Sequence, residues 1–319
     1  MEQLKEKLSN KLTHQLIKTL SHQYQANGKL LLTAEYLVLD GAKALALPTN
    51  YGQSMTVTEQ QGSGKIHWTS FDSDQKIWFQ HLFQMPLVIK KKDNSAIKFL
   101  KQLLHESLLQ NPDCLSLEKD YQIVTHLEFP TLWGLGSSST LIYNLSQWLE
   151  VNPYELLHKT LGGSGYDLAC ASSGQPITYQ LIDNNPIVNM VNFNPPFADQ
   201  LYFIYLNQKQ KSHKEIIRYN NQKTDTSQAL KFVNKITELM LKVENIDDFN
   251  ILLEQHEKLL ASVLNRPVIQ KQFPDFDGQL KSLGAWGGDF ILASGGSNTV
   301  SYFKSKGYNT VVGYKTMIK

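Results

Sequence analysis

One turn constrains this chain more than any other segment. Pro130-Thr-Leu-Trp-Gly134-Leu-Gly136-Ser137-Ser138-Ser139-Thr140 lies between a β-type run, Tyr121 to Glu128, and a helical one in which Leu141, Ile142, Leu145, Trp148 and Leu149 form a single apolar stripe. A strand that feeds a helix through glycine and serine belongs to a mixed α and β fold. Glycine lets the backbone come close to an anion, and the unpaired N–H groups of the first helical turn, with the helix dipole behind them, favour negative charge. A hydroxyl at Ser138 can also ligate Mg2+, a hard cation that prefers oxygen. Read alone, the same residues also describe an ordinary connection whose serines cap the helix. Other nucleotide motifs are incomplete. Gly62-Ser-Gly-Lys65 lacks the first Gly of a P-loop and the Ser or Thr that should follow, Gly134-Leu-Gly136 lacks the third Gly of a dinucleotide site, and Asp289-Phe290 is followed by Ile rather than Gly.

The rest of the chain sets the frame. A length of 319 residues fits two domains, and 41% hydrophobic with 19% charged residues is the balance of a globular protein. The net charge of +2 is scattered, so no nucleic-acid partner is expected, and no apolar run reaches the roughly 18 residues of a membrane helix. Cys114 and Cys170 form no metal-type cluster and suit a reducing, cytoplasmic setting. Of the 31 cationic residues only Arg218 and Arg266 are arginine. The dense local supply of positive charge is Lys209, Lys211, His213, Lys214 and Arg218, which reads either as a solvated basic loop or as a phosphate grip to which Ser212 adds a hydroxyl.

Periodicity places the elements. Leu4, Leu8, Leu12, Leu16 and Leu20 predict an amphipathic helix over residues 1 to 20 with no membrane role. Gln25 to Leu39 reads as a strand that turns at Asp40-Gly41 and resumes at Ala44 to Leu47. Strands are expected over Ser54 to Glu59, Lys65 to Ser70, Ile177 to Ile182, Leu201 to Leu206, Phe290 to Ala293 and Thr310 to Tyr314. Helices are expected over Ser95 to Gln110, from Asn152-Pro153 to Gly162-Gly163, and through residues 225 to 265.

Three separated motifs then give a specific likeness. Asn27-Gly28-Lys29-Leu-Leu-Leu-Thr-Ala-Glu35-Tyr36, the Gly134-Leu-Gly136-Ser-Ser core and Gly284-Ala285-Trp286-Gly287-Gly288-Asp289 occur in the order found in the GHMP kinases, which the chain resembles from about Gly28 to Ala293. Gly163-Ser-Gly-Tyr-Asp167-Leu-Ala-Cys-Ala is similar to the catalytic-aspartate region of the mevalonate and phosphomevalonate kinases, while the galactokinase form of the first motif is missing. The resemblance implies a two-domain α+β fold. It comprises an N-terminal ribosomal-protein-S5-like α/β domain over residues 23–190, after a helical extension at 1–22, and a C-terminal ferredoxin-like α+β domain over 191–319.

The same resemblance implies ATP and Mg2+ as cofactors, a small-molecule acceptor such as phosphomevalonate or mevalonate, with a sugar or a ligand-binding role without catalysis as alternatives, and leaves a homodimer open. It assigns the nucleotide to Gly134, Leu135, Gly136, Ser137, Ser138 and Ser139, catalysis to Lys29 and Asp167, the acceptor to Glu35, Tyr36, Lys211, Ser212, Gly287 and Gly288, and Mg2+ to Ser138 and Glu155. Two residues depart from the pattern: Trp286 stands where the third motif has glycine, and Asn27 where the first has proline. If residues 29 to 36 form a strand, alternation puts Lys29, Leu31, Thr33 and Glu35 on one face, so Lys29 and Glu35 are expected to look into the same cleft.

Overall fold

A computed structural model describes residues 20–208, 212–222, 225–284, 286 and 289–319. Apart from Leu20, which opens a strand, the leucine-spaced helix expected at the N-terminus lies outside the described residues. In chain order the elements are β1 (Leu20–Leu31), β2 (Ala44–Gln61), β3 (Lys65–Phe71), β4 (Ile77–Gln84), α1 (Ser95–Gln110), β5 (Lys119–Leu127), α2 (Ser137–Leu149), α3 (Pro153–Thr160), α4 (Tyr166–Ser172), β6 (Ile177–Ile182) and β7 (Asn185–Met190). They continue with β8 (Leu201–Tyr205), α5 (Ser212–Gln222), α6 (Ser227–Met240), α7 (Ile246–Leu264), β9 (Gly278–Ser282), β10 (Phe290–Gly295), α8 (Thr299–Ser305), β11 (Val311–Gly313) and α9 (Tyr314–Met317). The fold is α+β. Contacts divide the chain into two compact units: unit 1 takes Met1–Gln25, Ser54–Leu127 and Asn144–Thr160, and unit 2 takes Ala26–Gln53, Glu128–Tyr143 and Leu161–Lys319. Unit 2 thus draws on both sides of residue 190.

Unit 1 is organised around β3, which pairs antiparallel with β4 and parallel with β5, so that Trp68 has His81 on one side and Ile123 on the other. A parallel neighbour requires a crossover, and α1 supplies it. Ile66, Trp68 and Ser70 are buried on one face of β3, as period-two patterning demands. The buried indole N–H of Trp68 is satisfied by Ser70 Oγ at 3.0 Å, and that hydroxyl meets Thr125 Oγ1 at 2.8 Å. Asn94 caps α1 by accepting the Ile97 N–H at 2.9 Å, and Leu100, Leu103, Leu104 and Ser107 form its buried stripe. Strand β4 escapes the sequence reading because Ile77, Trp78 and Leu82 are exposed on it. Its pairing with β3, together with the buried ring of Phe83 set edge-on to Trp68, holds it in place.

In unit 2, Leu45 of β2 faces Thr178 of β6, which pairs in turn with β7. A second sheet has the order β11-β8-β10-β9. Ile204, Leu280, Ile291 and Ala293 line one side of it and pack with Phe273, Phe276 and Phe303, the ring of Phe303 lying 5.2 Å from Phe273 and 5.1 Å from Phe276.

The expected strand from Gln25 to Leu39 is corrected here. Strand β1 stops at Leu31, the N–H groups of Leu32 and Thr33 both turn to the Leu45 carbonyl at 2.8 and 3.3 Å, and Ala34 and Tyr36 take positive φ values of 66° and 64° before a 3-10 turn over Leu37–Asp40. Two successive donors on one acceptor mark a bulge, so alternation cannot be carried from Lys29 to Glu35. Replacing the fully buried Phe303 by alanine should cost ~3–5 kcal/mol of stability, read as a lower denaturant midpoint at an unchanged slope. A loss under ~1 kcal/mol would mean that this ring does not organise the second sheet.

Candidate active site

Strand β1 carries Lys29 against the glycine-serine turn, where its N–H donates to the Leu135 carbonyl at 3.0 Å. Leu135 is fully buried and anchors the turn, while Gly134 and Gly136 adopt φ values of 67° and 91°, the left-handed region that glycine enters without strain. Close approach requires the same two glycines. A Cβ at Gly134 would strike the carboxylate of Asp289, and one at Gly136 would stand 3.3 Å from Cγ and Cε of Lys29. Helix α2 starts at Ser137. Its first turn is pinned by Thr140, whose N–H donates to the Gly136 carbonyl at 3.0 Å and whose hydroxyl donates to Gln53 Oε1 at 2.8 Å. The N–H groups of Ser137, Ser138 and Ser139 have no partner within the helix, and the Ser138 side chain is exposed. An oxyanion placed at this turn meets backbone donors, a helix dipole and the Lys29 ammonium together.

Asp167 reaches the turn from another direction. Gly165, at φ 88°, opens the short helix α4, and Asp167 in its first turn accepts a hydrogen bond from Ser139 Oγ at 3.3 Å. The neighbouring Tyr166 ring lies under Lys29, with Nζ 5.3 Å from the ring centroid, a cation–π contact. Burial by itself would lower the pKa of Lys29, but Tyr166 and Asp167, with a smaller share from Asp289, more than offset it and hold the ammonium above its usual range. Burial, then Asp167, pushes the Tyr166 hydroxyl up as well, so it stays neutral. Lys29 and Asp167 therefore share one neighbourhood without a direct ion pair between them, which leaves the ammonium's charge available to an incoming anion. Asp289, also at positive φ (51°), is fixed by its N–H to the Gln208 carbonyl at 2.7 Å and by its own carbonyl, which accepts from Leu206 at 2.8 Å. Asp289 closes the third motif in sequence without an expected role, and the structure sets it against Gly134.

Glu35 and Tyr36 belong to a different cluster. Glu35 is 3% exposed and accepts from Lys281 Nζ, itself fully buried, and its second oxygen lies 3.4 Å from His256 Nε2. That nitrogen accepts the Ala34 N–H at 2.8 Å, so the imidazole carries its proton on Nδ1 and is neutral. Burial, then Lys281, keeps the His256 pKa well below its ordinary value. Glu257 accepts from Ile269 N, Ser282 N and Ser282 Oγ, each at 2.9 Å. Two buried carboxylates thus face one ammonium, and burial pushes Glu35 up to about 7 against the pull of Lys281. The shared cleft expected for Lys29 and Glu35 is not formed. Lys281 and His256 left no signal in the sequence, because strand β9 was not expected and a helical histidine is unremarkable.

The Tyr36 hydroxyl accepts the Trp286 N–H at 3.0 Å, and the Trp286 indole, 4% exposed, donates to the Pro267 carbonyl at 3.2 Å. The residue that replaces glycine in the third motif is therefore tied down on the Pro267 side. Lys211, Gly287 and Gly288 lie outside the described residues; Ser212 opens α5, its side chain likewise outside them. Glu155 is exposed in the first turn of α3, in unit 1, whereas the turn belongs to unit 2. Among the described residues no group of three or more His, Cys, Asp or Glu gathers to hold a metal. Magnesium that arrives on polyphosphate needs only one or two protein oxygens, and the exposed hydroxyl of Ser138, next in sequence to the Ser139 that donates to Asp167, fits that requirement. No described helix is long and apolar enough to cross a membrane.

Two outcomes test this geometry. Gly134→Ala should weaken binding of a non-hydrolysable ATP analogue at least ~10-fold at unchanged secondary structure, since a Cβ there meets both backbone strain and the Asp289 carboxylate; unchanged affinity would show that the turn tolerates a side chain. Because the native pKa of Glu35 stands above its unfolded value of 4.5, its stabilising share is complete below about 4.5 and is lost as pH rises through about 7. His256, shifted the other way, gains stability with rising pH, so Glu35 must be isolated by difference. Wild-type stability minus that of Glu35→Gln should fall between pH 5 and 7.5, and a flat difference would place the extra proton elsewhere.

No family model and no curated protein matches the sequence. Solved structures do match. Mevalonate kinase of Methanococcus jannaschii is 17% identical, with 92% of this chain and 97% of that one covered at a TM-score of 0.65. Phosphomevalonate kinase of Streptococcus pneumoniae, in complex with phosphomevalonate and AMPPNP, is 15% identical, with 89% and 95% covered at 0.65. The D-glycero-D-manno-heptose 1-phosphate kinase of Bacteroides thetaiotaomicron is 16% identical, with 94% and 97% covered at 0.59. Across most of its length the chain therefore has the fold that mevalonate kinase and phosphomevalonate kinase share, the GHMP kinase fold.

Proposed function

We propose that this protein is an ATP-dependent small-molecule kinase that transfers the γ-phosphoryl group of MgATP to phosphomevalonate or mevalonate. The observation that carries the reading is the meeting of Lys29 and Asp167 at the turn of Gly134 and Gly136, because a site that only bound a ligand would have no chemical need for that pair. Phosphoryl transfer asks a protein to position the reactants and to neutralise charge. The N–H groups of the first turn of α2 hold the polyphosphate, and Lys29, kept charged by Tyr166 and Asp167, receives the oxygens of the transferring group. Ser138 would offer an oxygen to Mg2+ delivered with the nucleotide, and the ion would supply further neutralisation of charge on the phosphate oxygens.

Asp167 has a role that depends on the acceptor. With mevalonate, the attacking hydroxyl gives its proton to the Asp167 carboxylate as the new O–P bond forms and the bond from phosphorus to the ADP oxygen breaks. With phosphomevalonate the attacking oxygen is already anionic, and Asp167 orients Lys29 and the reactants. A sugar or other small alcohol is the second reading, supported by the likeness to a heptose 1-phosphate kinase.

An ADP-release assay with MgATP against mevalonate, phosphomevalonate and a panel of sugars should show turnover with one acceptor class. Asp167→Asn should then cut the rate at least ~100-fold, the scale of losing a catalytic proton-transfer group. A change under ~3-fold would remove Asp167 from the mechanism, and no ADP release with any acceptor would sink the reading.

A further inference from the structure

In unit 1 the loop between β4 and α1, residues 85–94, is both held in shape and turned outward. Its turn is closed from two sides. The Asp93 N–H donates to the Lys90 carbonyl at 3.1 Å, and the Lys90 N–H donates to Asp93 Oδ2 at 2.8 Å. Lys91 and Lys92 therefore take the two central positions of a β-turn. Lys101, buried on α1, reaches back into the loop and donates to the Val88 carbonyl at 2.6 Å and to Asp93 Oδ2 at 2.7 Å. A single sheltered ammonium thus fixes the backbone on both sides of Ile89 to Lys92, in an ion pair whose side chains are 10% and 8% exposed.

What the fixed loop presents is apolar and cationic together. Val88 and Ile89 are 58% and 52% exposed, and the exposed Lys90, Lys91 and Lys92 follow them directly. Leu117, 60% exposed, adds a third aliphatic side chain where the loop begins, since it and Met85 both come within 3.5 Å of the place a Cβ on Gly64 would take. Exposed lysines elsewhere meet carboxylates: Lys76 with Asp74, Lys258 with Glu254, Lys306 with Asp275 and Lys315 with Asp199, at 2.7 to 3.5 Å. Among the described residues no ion pair reaches Lys90, Lys91 or Lys92, and Asp93, the one acid in the loop, is engaged by Lys101.

That combination separates the anionic partners a basic loop could meet. A stable protein interface draws on about 20–30 residues a side, several times what this loop offers. Single-stranded nucleic acid is held by aromatic stacking with help from arginine, and the loop has neither residue type. An anionic bilayer asks only for clustered lysines close to its surface and a few apolar side chains that enter the headgroup layer. We infer that residues 88–92 form a peripheral docking site for an anionic lipid surface. Val88 and Ile89 enter the headgroup layer, and Lys90, Lys91 and Lys92 meet the lipid phosphates. The site lies wholly within unit 1, is independent of the kinase reading, and needs no spanning helix.

Co-sedimentation of the full chain with vesicles tests the assignment, using phosphatidylcholine alone and phosphatidylcholine in which about one lipid in three is phosphatidylserine. The proteins compared are wild type, the double variant Lys91→Glu with Lys92→Glu, and the double variant Val88→Ser with Ile89→Ser. All four positions are exposed and the loop is held through other side chains and the backbone, so both variants are expected to fold with unchanged circular dichroism. Wild type should bind the anionic vesicles and not the neutral ones, with a loss of at least ~10-fold in the lysine variant and at least ~3-fold in the aliphatic one. Raising salt from about 0.1 M to about 1 M, which shortens the Debye length from about 10 Å to about 3 Å, should release it. Wild type that ignores anionic vesicles, or binds neutral ones equally well, overturns the assignment. Binding unchanged in both variants does the same and transfers the lipid contact to the leucine-spaced residues 1 to 20. Heparin that binds as tightly as the vesicles, with the lysine dependence but without the aliphatic one, would mark a general polyanion patch and also defeat it. AMPPNP affinity should be equal in all three proteins; a loss in the lysine variant would put those lysines on the nucleotide instead of on lipid.

Discussion

A lysine held charged beside a glycine turn is the arrangement on which the rest of this site depends. Lys29 leaves β1 beneath the turn, lies over the Tyr166 ring and is flanked by Asp167 and Asp289. Desolvation there opposes a charged amine, and the neighbouring oxygens outweigh it. Because Asp167 does not close a direct ion pair, the field that stabilises the ammonium leaves it able to meet a phosphate oxygen. Each supporting element acts on that single charge. Gly136 has no side chain to displace the lysine stem, Gly134 admits Asp289, and Ser139 holds Asp167 by a hydrogen bond.

A second charged cluster supports the first without joining it. Glu35, Lys281, Glu257 and the neutral His256 link the bulge after β1 to α7 and β9. A buried cluster of this kind is costly unless its members are paired, and removing one partner leaves an uncompensated charge. Its position explains how Ala34 and Tyr36 can both hold positive φ. The Ala34 N–H is taken by His256 and the Tyr36 hydroxyl by Trp286, so neighbouring groups on both sides of the bulge enforce the strained backbone.

Much of the fold was legible as periodicity. The expected helix Ser95 to Gln110 and strand Ile177 to Ile182 coincide with α1 and β6, and the strand and helix on either side of the glycine turn are where the pattern put them. The misses share a cause. In β4 Ile77, Trp78 and Leu82 face outward, β7 and β9 are short segments held by their neighbours in a sheet, and β1 ends in a bulge that no alternation rule anticipates. In each, hydrogen bonds to a distant segment decided the conformation, and such bonds leave no local period.

By itself, the sequence determined the turn, its glycines and the identities of Lys29 and Asp167, because a left-handed backbone, a helix start and an available charge are properties of a few adjacent residues. It also showed that arginine is scarce. Only the tertiary structure decided that Lys29 and Glu35 serve different clusters and that Asp289 abuts Gly134. Those pairings join residues tens to hundreds of positions apart, and what brings them together is sheet register and the burial of charge, neither of which any one segment encodes alone.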